Sequence, residues 1–238
     1  MKNKFWKWVK NEETSDKNVL RLDGVISDWK IDDEDSLTTP QEFREELNSC
    51  KGDIEVYINS PGGNVFSAAE IYSMLKEYRG GRITAKIPAF CASAATIIAM
   101  SAATVEISPL AFMVIHDPFV DCFGTEKDLM EGAKFLRDLK KSIIEIYRQK
   151  TGLSRDKISD LMDAETYMNA EKAVELHFAD RLMFEEKTAA QMYSASRNEP
   201  LLFKIYRASS SEAKSIRKDP RRRLIVGCNY EWRKSDEV

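Results

Sequence analysis

Branched apolar residues recur in short runs between polar turns along the first half of the chain. The segment NVLRLDGVI at 18–26 and the segment DIEVYI at 53–58 are two examples. Runs of roughly four to eight residues rich in valine and isoleucine are typical of β-strands. On this basis we predict strands at 18–26, 53–58, 82–87, 104–107 and 111–115.

Amphipathic helices are predicted between and after these strands. The clearest spans 125–150, where apolar residues recur at spacings of three and four, Thr125 offers a cap, and Gly152 follows the end. The other predicted helices span 39–48 and 65–78, begin near Ser93 and Ser154, and span 169–177. Alternating strands and helices indicate βαβ units, and so an α/β fold with a largely parallel sheet covered on both faces.

An uncharged stretch at 87–105 needs a separate interpretation. Its 19 residues approach the length of a membrane span. Many of them are alanine, serine or threonine, and Pro88 stands near the start, so the strongly apolar content is small. We therefore expect a buried helix here and no membrane association.

The balance of charge changes sign near position 187. Residues 1–186 carry 24 Lys and Arg against 33 Asp and Glu, a balance of −9, whereas 187–238 carry 12 against 6, a balance of +6. We predict an N-terminal segment at 1–17, one domain at 18–186 and an appended basic extension at 187–238. Because a basic run without an aromatic platform is usually solvated, a nucleic acid is not an expected partner.

The cysteines favour neither a metal site nor a disulfide framework. Cys50, Cys91, Cys122 and Cys228 are scattered, and no two of them form a CxxC pair. Residues 1–10 also lack the apolar core of a signal peptide. We expect reduced thiols, a cytoplasmic location, and no metal or other cofactor.

Three features are candidates for chemistry. His116 follows an apolar strand, the position where sheet-based enzymes place reactive groups, whereas His177 lies in a helix and is interpreted as a surface or capping residue. Ser93 stands at the first turn of a helix, where the next backbone N–H favours a developing anion. Paired glycines at 62–63 allow close approach of the backbone to a ligand. Taken singly, each also fits an ordinary structural role, as a strand-end histidine, a cap serine or a tight turn.

Four motifs then occur in a fixed order. They are INSPGG at 58–63, CASAAT at 91–96, MVIHDP at 113–118, and ETYMNAEKAVEL at 165–176 followed by Ala179-Asp180. On these motifs, residues 20–182 resemble the proteolytic subunit of the Clp protease. The resemblance implies a Clp/crotonase-type fold of repeated ββα units with a long protruding helix, and a serine peptidase that forms rings.

Within that family, the resemblance is closer to the Clp-like proteases of phages and prophages. It rests on FWKWVKNEE at 5–13, LRLDGVI at 20–26, ASAATIIAM at 92–100, and ETYM with AEKAVEL at 165–176. This likeness implies head maturation, in which capsid or scaffold protein is cleaved during procapsid assembly. It also implies that the helix from Thr125 contributes to stacking of rings. Participation of an ATPase is left open.

The resemblance also implies roles for single residues. Ser93 matches the nucleophile, His116 the base, and Glu165 the third triad member, with Asp163 as the alternative acid. The backbone N–H groups of Gly63 and Ala94 match the oxyanion-hole donors. The chain departs from the family pattern where glycine is usual, having alanine at 89 and 95 and a histidine at 177.

Two other functions remain open at this point. A crotonase-like enzyme would use a similar oxyanion hole on acyl-CoA thioesters, without needing a serine, a histidine and an acid together. A structural ring or scaffold component of the same fold would have an idle site. A nucleophile at Cys91 is a further alternative, but its apolar setting favours a packing role.

Overall fold

The computed structural model describes residues 4–9, 18–27 and 40–184 of the 238-residue chain. In chain order the elements are β1 (Trp6–Val9), β2 (Asn18–Asp23), α1 (Pro40–Asn48), β3 (Ile54–Asn59), α2 (Val65–Glu77), β4 (Ile83–Ile87), β5 (Phe90–Ala92), α3 (Ala94–Ala99), β6 (Thr104–Ile107), β7 (Phe112–Ile115), α4 (Glu126–Thr151), α5 (Arg155–Asp163), β8 (Thr166–Asn169), α6 (Ala170–Glu175) and β9 (Arg181–Leu182). The predicted α/β class is confirmed.

Among the described residues, the larger of two sheets has six strands in the order β1-β2-β3-β4-β6-β9. Every neighbouring pair is parallel except β1 with β2, which is antiparallel. The central strand β3 pairs on both sides, with Val56 opposite Leu20 of β2 and opposite Ala85 of β4. Because these parallel strands run the same way, their carboxyl ends lie along one edge of the sheet, where the loops that follow them meet.

The smaller sheet has the order β5-β7-β8, with β5 and β7 parallel and β7 and β8 antiparallel. It lies next to the end of β3, because Ser60 forms a parallel bridge with Cys91 of β5. The Ser60 amide donates to the carbonyl of Phe90, and the Ala92 amide donates to the carbonyl of Ser60. The turn after β3 is therefore held beside the turn after β5.

The helices form where the patterns predict them. The α4 helix has a capping box, in which Thr125 and Asp128 satisfy each other's backbone amides, and Gly152 ends it in the left-handed conformation. Its buried residues lie only in the C-terminal third, so most of the helix extends away from the core. Those buried residues are Ile143, Ile144, Tyr147 and Thr151.

The uncharged stretch at 87–105 is more divided than predicted. A buried helix is present, but α3 has only six residues, and the strand β5 that precedes it was not predicted. The predicted strand at 18–26 also ends early, because Gly24 has a φ of 82° and turns the chain. Within the described ranges, no helix is long and apolar enough to cross a bilayer.

The beginning of the chain contributes β1 to the six-stranded sheet. Trp6 of β1 lies opposite Leu22 of β2, and its ring packs edge-on against Phe43 of α1 with centroids 5.5 Å apart. Part of the segment predicted to be separate at 1–17 therefore lies in the core of the domain. The first position of the helix predicted at 39–48 and the extension predicted at 187–238 lie outside the described residues.

Candidate active site

Ser93 occupies a strained turn between β5 and α3. Its backbone has φ 55° and ψ −129°, a region that costs a residue with a side chain about 1–3 kcal/mol. The Ser93 amide donates to the carbonyl of Val114 at 2.8 Å, which fixes the turn against β7. Its side chain makes no capping hydrogen bond, so the interpretation of Ser93 as an ordinary cap serine does not fit.

The glycine loop after β3 approaches this turn closely. A Cβ added to Gly62 would lie 2.6 Å from the Ser93 Cβ and 2.7 Å from the Ala92 carbonyl oxygen, and Gly62 has a φ of 98°. Position 62 therefore has no room for a side chain. The amide of Gly62 donates to the buried Ser60 hydroxyl at 3.1 Å, which holds the loop in this shape.

Two backbone amides in the glycine loop and the Ser93 turn have no acceptor among the described residues. Neither the N–H of Gly63 nor the N–H of Ala94 donates a hydrogen bond to any described residue. Gly63 is fixed by a parallel bridge to Ile26, whereas Ala94 is buried at the first turn of α3. Free backbone amides near a nucleophile can donate hydrogen bonds to a developing oxyanion.

The parallel pairing of β5 with β7 brings His116 next to Ser93. Ala92 lies opposite Val114, so Ser93 lies opposite Ile115 and His116 is the next residue. The half-buried imidazole has its Nδ1 2.6 Å from the carbonyl oxygen of Asp117. Because a carbonyl only accepts, Nδ1 carries the proton and Nε2 is left as the basic nitrogen. No hydrogen bond joins His116 to Ser93 in the described chain.

The two candidate acids have different surroundings. Antiparallel pairing sets Ile115 opposite Thr166, so continuing the register by one residue sets His116 opposite Glu165. The Glu165 carboxylate is exposed and accepts a hydrogen bond from the Tyr167 hydroxyl at 3.2 Å. Among the described contacts, neither Glu165 nor Asp163 bonds to the imidazole.

Asp163 is held by a lysine that sequence reasoning did not identify. The Lys140 Nζ on α4 lies 2.7 Å from Asp163 Oδ1 and 2.8 Å from Asp117 Oδ1. The hydrogen bond from Lys140 is the largest of the effects that lower the pKa of Asp163. Burial alone would lower the pKa of Lys140, but its hydrogen bonds to Asp117 and Asp163 outweigh burial and raise it. No sequence spacing links these three residues, which meet only through the packing of α4.

The remaining candidates have other surroundings. Cys91 is fully buried, and burial raises the pKa of its thiol, which therefore stays protonated. His177 is exposed and has a φ of 60°. Glycine adopts positive φ most readily, which fits the glycine that the resembled family usually has nearby. Within the described ranges, no group of three or more His, Cys, Asp or Glu side chains is arranged to hold a metal ion.

These parts together define a class of protein. Hydrolases with a serine nucleophile combine a strained turn that exposes the serine, a histidine within reach and a pair of backbone amides for the oxyanion. This chain has the turn, the two amides and an imidazole that directly follows the adjacent strand β7.

Comparison with known proteins then identifies the family. The family described as Clp protease matches residues 26–186. The chain is 30% identical over 137 residues to the ATP-dependent Clp protease proteolytic subunit 2 of Tropheryma whipplei (strain Twist), a match that covers 57% of this chain and 76% of that protein. The chain therefore belongs to the Clp protease family, which at the general level makes it a serine peptidase. Proteolytic subunits of this family act on protein substrates and form oligomeric rings.

The close approach of Gly62 to Ser93 leads to a test with a matched control. Gly62→Ala and Gly24→Ala both place a side chain at positive φ, but a Cβ at Gly24 would have open space. We expect Gly24→Ala to cost about 1–2 kcal/mol through backbone strain alone. Gly62→Ala adds overpacking to that strain and should cost about 2–5 kcal/mol in urea unfolding. Equal costs for the two variants would contradict the geometry described here.

Proposed function

We propose that this chain is a serine endopeptidase in which Ser93 is the nucleophile and His116 the general base. The observation that carries the proposal is the backbone of Ser93, held at positive φ between a glycine loop and β7 without using its hydroxyl as a cap. Strain of this kind persists where the surrounding contacts enforce it, and such positions cluster at active sites.

The chemistry is acyl transfer to water. His116 Nε2 takes the proton of the Ser93 hydroxyl as Oγ attacks the peptide carbonyl carbon. The carbonyl oxygen becomes an oxyanion that accepts hydrogen bonds from the amides of Gly63 and Ala94. His116 then protonates the leaving amine, and water, deprotonated by the same nitrogen, releases the acyl group from Ser93. No metal ion or nucleotide takes part in these steps.

The hydrogen bond from Ser93 to His116 is proposed to form on substrate binding. In the free chain the two residues are neighbours in register but are not bonded. Catalytic hydrogen bonds are often long or misaligned before substrate binds, and they tighten in the complex. The hydrogen bond from Nδ1–H to the Asp117 carbonyl supports this view, because in that tautomer Nε2 is the nitrogen with a free lone pair.

Glu165 is the proposed third member of the triad, and on substrate binding its carboxylate would replace the Asp117 carbonyl as the acceptor of the His116 Nδ1 proton. It directly precedes β8, whose Thr166 lies opposite Ile115, so the β7–β8 pairing sets it near His116. Among the described residues, its exposed carboxylate has one weak contact to give up, the hydrogen bond from Tyr167. Asp163, the alternative acid, is engaged by Lys140 and by the Ser159 hydroxyl. A carboxylate held by an ammonium group is a poor partner for an imidazolium that forms nearby.

The proposed substrate is a phage capsid or scaffold protein, and the proposed setting is the bacterial host cytoplasm or the procapsid. The phage-like motifs at 5–13, 20–26, 92–100 and 165–176 support this assignment. A homo-oligomeric ring is also proposed. The exposed apolar side chains on α4 support a contact there with another copy, since Leu129, Met130 and Phe135 are 49%, 62% and 45% exposed. A partner ATPase is neither required nor excluded by this chemistry.

An idle ring component of the same fold is the competing function. It is favoured by the absence of a bond between Ser93 and His116 in the described chain. Reactivity separates the two functions, because a serine that no base or oxyanion hole activates does not react with a fluorophosphonate. The crotonase-like alternative requires binding of CoA, which titration with CoA measures directly.

The nucleophile is tested by labelling the full chain with a fluorophosphonate and locating the adduct by mass spectrometry. We expect one adduct per chain, on Ser93, in the wild type and in Ser108→Ala, which removes another half-buried serine hydroxyl. Ser93→Ala should give no adduct and should leave the cognate capsid protein uncut. Labelling or cleavage that survives Ser93→Ala would reject the assignment.

The third triad member is tested by comparing Glu165→Gln with Asp163→Asn. We expect Glu165→Gln to lower kcat by roughly a hundredfold or more, because the carboxylate no longer stabilises the imidazolium. Asp163→Asn should leave kcat within about threefold of the wild type. A large loss of kcat in Asp163→Asn with none in Glu165→Gln would reverse the assignment.

Asp163→Asn should instead be recognised by its effect on stability. Because the pKa of Asp163 is lowered in the folded chain, its contribution is present above the unfolded pKa of about 3.9 and is lost as the pH falls through the lower folded value. Urea unfolding should therefore separate Asp163→Asn from the wild type at pH 7, and the two should converge at acid pH.

A further inference from the structure

A chain of two short hydrogen bonds leads from α4 to the backbone of Ser93. The Tyr147 hydroxyl lies 2.6 Å from the Thr96 Oγ1, and the Thr96 Oγ1 lies 2.6 Å from the Ser93 carbonyl oxygen. The Tyr147 and Thr96 side chains are almost fully buried, at 2% and 0% exposure. The Tyr147 ring packs edge-on against Phe178 with centroids 5.3 Å apart, so the phenol has little freedom to move.

The donor and acceptor in each of these two hydrogen bonds follow from the groups at the two ends, the Tyr147 hydroxyl and the Ser93 carbonyl. The Ser93 carbonyl only accepts, so the Thr96 hydroxyl donates to it, and Tyr147 then donates to Thr96. The reverse arrangement would leave the Tyr147 proton buried without an acceptor among the described residues, which is costly. Burial raises the pKa of Tyr147, so the phenol keeps the proton that this arrangement needs.

The Ser93 carbonyl shares a peptide plane with the Ala94 amide. In a trans peptide the C=O and the following N–H point in opposite directions and turn together. A donor that holds the Ser93 carbonyl from one side therefore aims the Ala94 N–H toward the other side. Thr96 holds that carbonyl twice, through its hydroxyl and through its backbone N–H at 3.0 Å.

We propose that Tyr147 and Thr96 are positioning residues that aim the Ala94 N–H at the oxyanion. This inference rests on the proposed function, in which that N–H is one of the two oxyanion donors. Neither side chain touches the substrate or the reacting atoms. Their effect is exerted on the Ser93–Ala94 peptide plane, which has to stay fixed although Ser93 itself is in a strained conformation. No sequence spacing connects Tyr147 to Thr96, 51 positions apart.

Removal of either hydroxyl tests the proposal on the full chain. Tyr147→Phe keeps the ring and deletes the donor, whereas Thr96→Val keeps the shape and deletes the link. We expect each to lower kcat for an activated acyl ester by about tenfold, less than the hundredfold typical of a deleted oxyanion donor, with KM unchanged. The rate of Ser93 labelling by a fluorophosphonate should fall in parallel. Rates remaining in Ser93→Ala are subtracted.

Two further variants separate positioning from general loosening. Thr96→Ser restores the hydroxyl and should recover most of the rate. The double variant Tyr147→Phe with Thr96→Val should be no slower than Thr96→Val alone, because both substitutions interrupt the same series of hydrogen bonds. Additive losses, or no recovery in Thr96→Ser, would overturn the proposal.

Matched controls come from α4 and from the turn that follows α3. Thr151→Val deletes a buried hydroxyl on α4 that donates to the Tyr147 carbonyl, and Ser101→Ala deletes one just after α3 that donates to the carbonyl of Ile98. Both should lose stability in urea yet keep kcat and the labelling rate. Equal rate losses in these controls would overturn the inference while leaving the nucleophile assignment intact. A wild type that does not react at Ser93 would instead reject the proposed function, and the inference with it.

Discussion

The closeness of the glycine loop to the Ser93 turn is the constraint on which the rest of the site depends. Gly62 lies so near the backbone of the turn that no side chain fits there, and Ser93 takes up a conformation that residues with side chains rarely adopt. The turn is held on its other side by the Val114 carbonyl. The amides at 63 and 94, which have no acceptor among the described residues, belong to these two backbone segments, which are held together.

The topology brings distant parts of the chain to this turn. Residues 93 and 116 meet because β5 and β7 run parallel in register, and residue 165 approaches because β8 returns antiparallel to β7. The α4 helix contacts the surroundings of the site through two side chains. Lys140 forms ion pairs with Asp117 and Asp163, and the Tyr147 hydroxyl is hydrogen-bonded to Thr96. The long helix is therefore connected to the site by an ion pair on one side and by a buried hydrogen bond on the other.

Sequence patterns predicted the strands and helices whose signals lie within the element itself. The strands at 104–107 and 111–115 and the helix at 125–150 follow from periodicity and capping, because each element signals itself within a few residues. The strand β5 was missed because three residues inside an uncharged run carry no period. The strand β1 was missed because its pairing with β2 is a tertiary contact.

The same distinction applies to the site. Ser93, His116 and the glycine pair stand at element ends, where a single sequence indicates reactive groups, whereas the roles of Glu165, Gly63 and Ala94 came from the family resemblance. Lys140 and Tyr147 lie on a helix far along the chain, and only packing reveals what they contact. The positive φ of Ser93 could not be predicted from the sequence either, since serine gives no sequence signal for that conformation.

A crystal structure of the full chain after reaction with a fluorophosphonate tests the central claim most directly. The account predicts phosphorus bonded to Ser93 Oγ, with one phosphonyl oxygen about 3 Å from the backbone nitrogens of both Gly63 and Ala94. Phosphorus on another side chain would contradict it. So would an adduct on Ser93 whose oxygens all point away from those two amides.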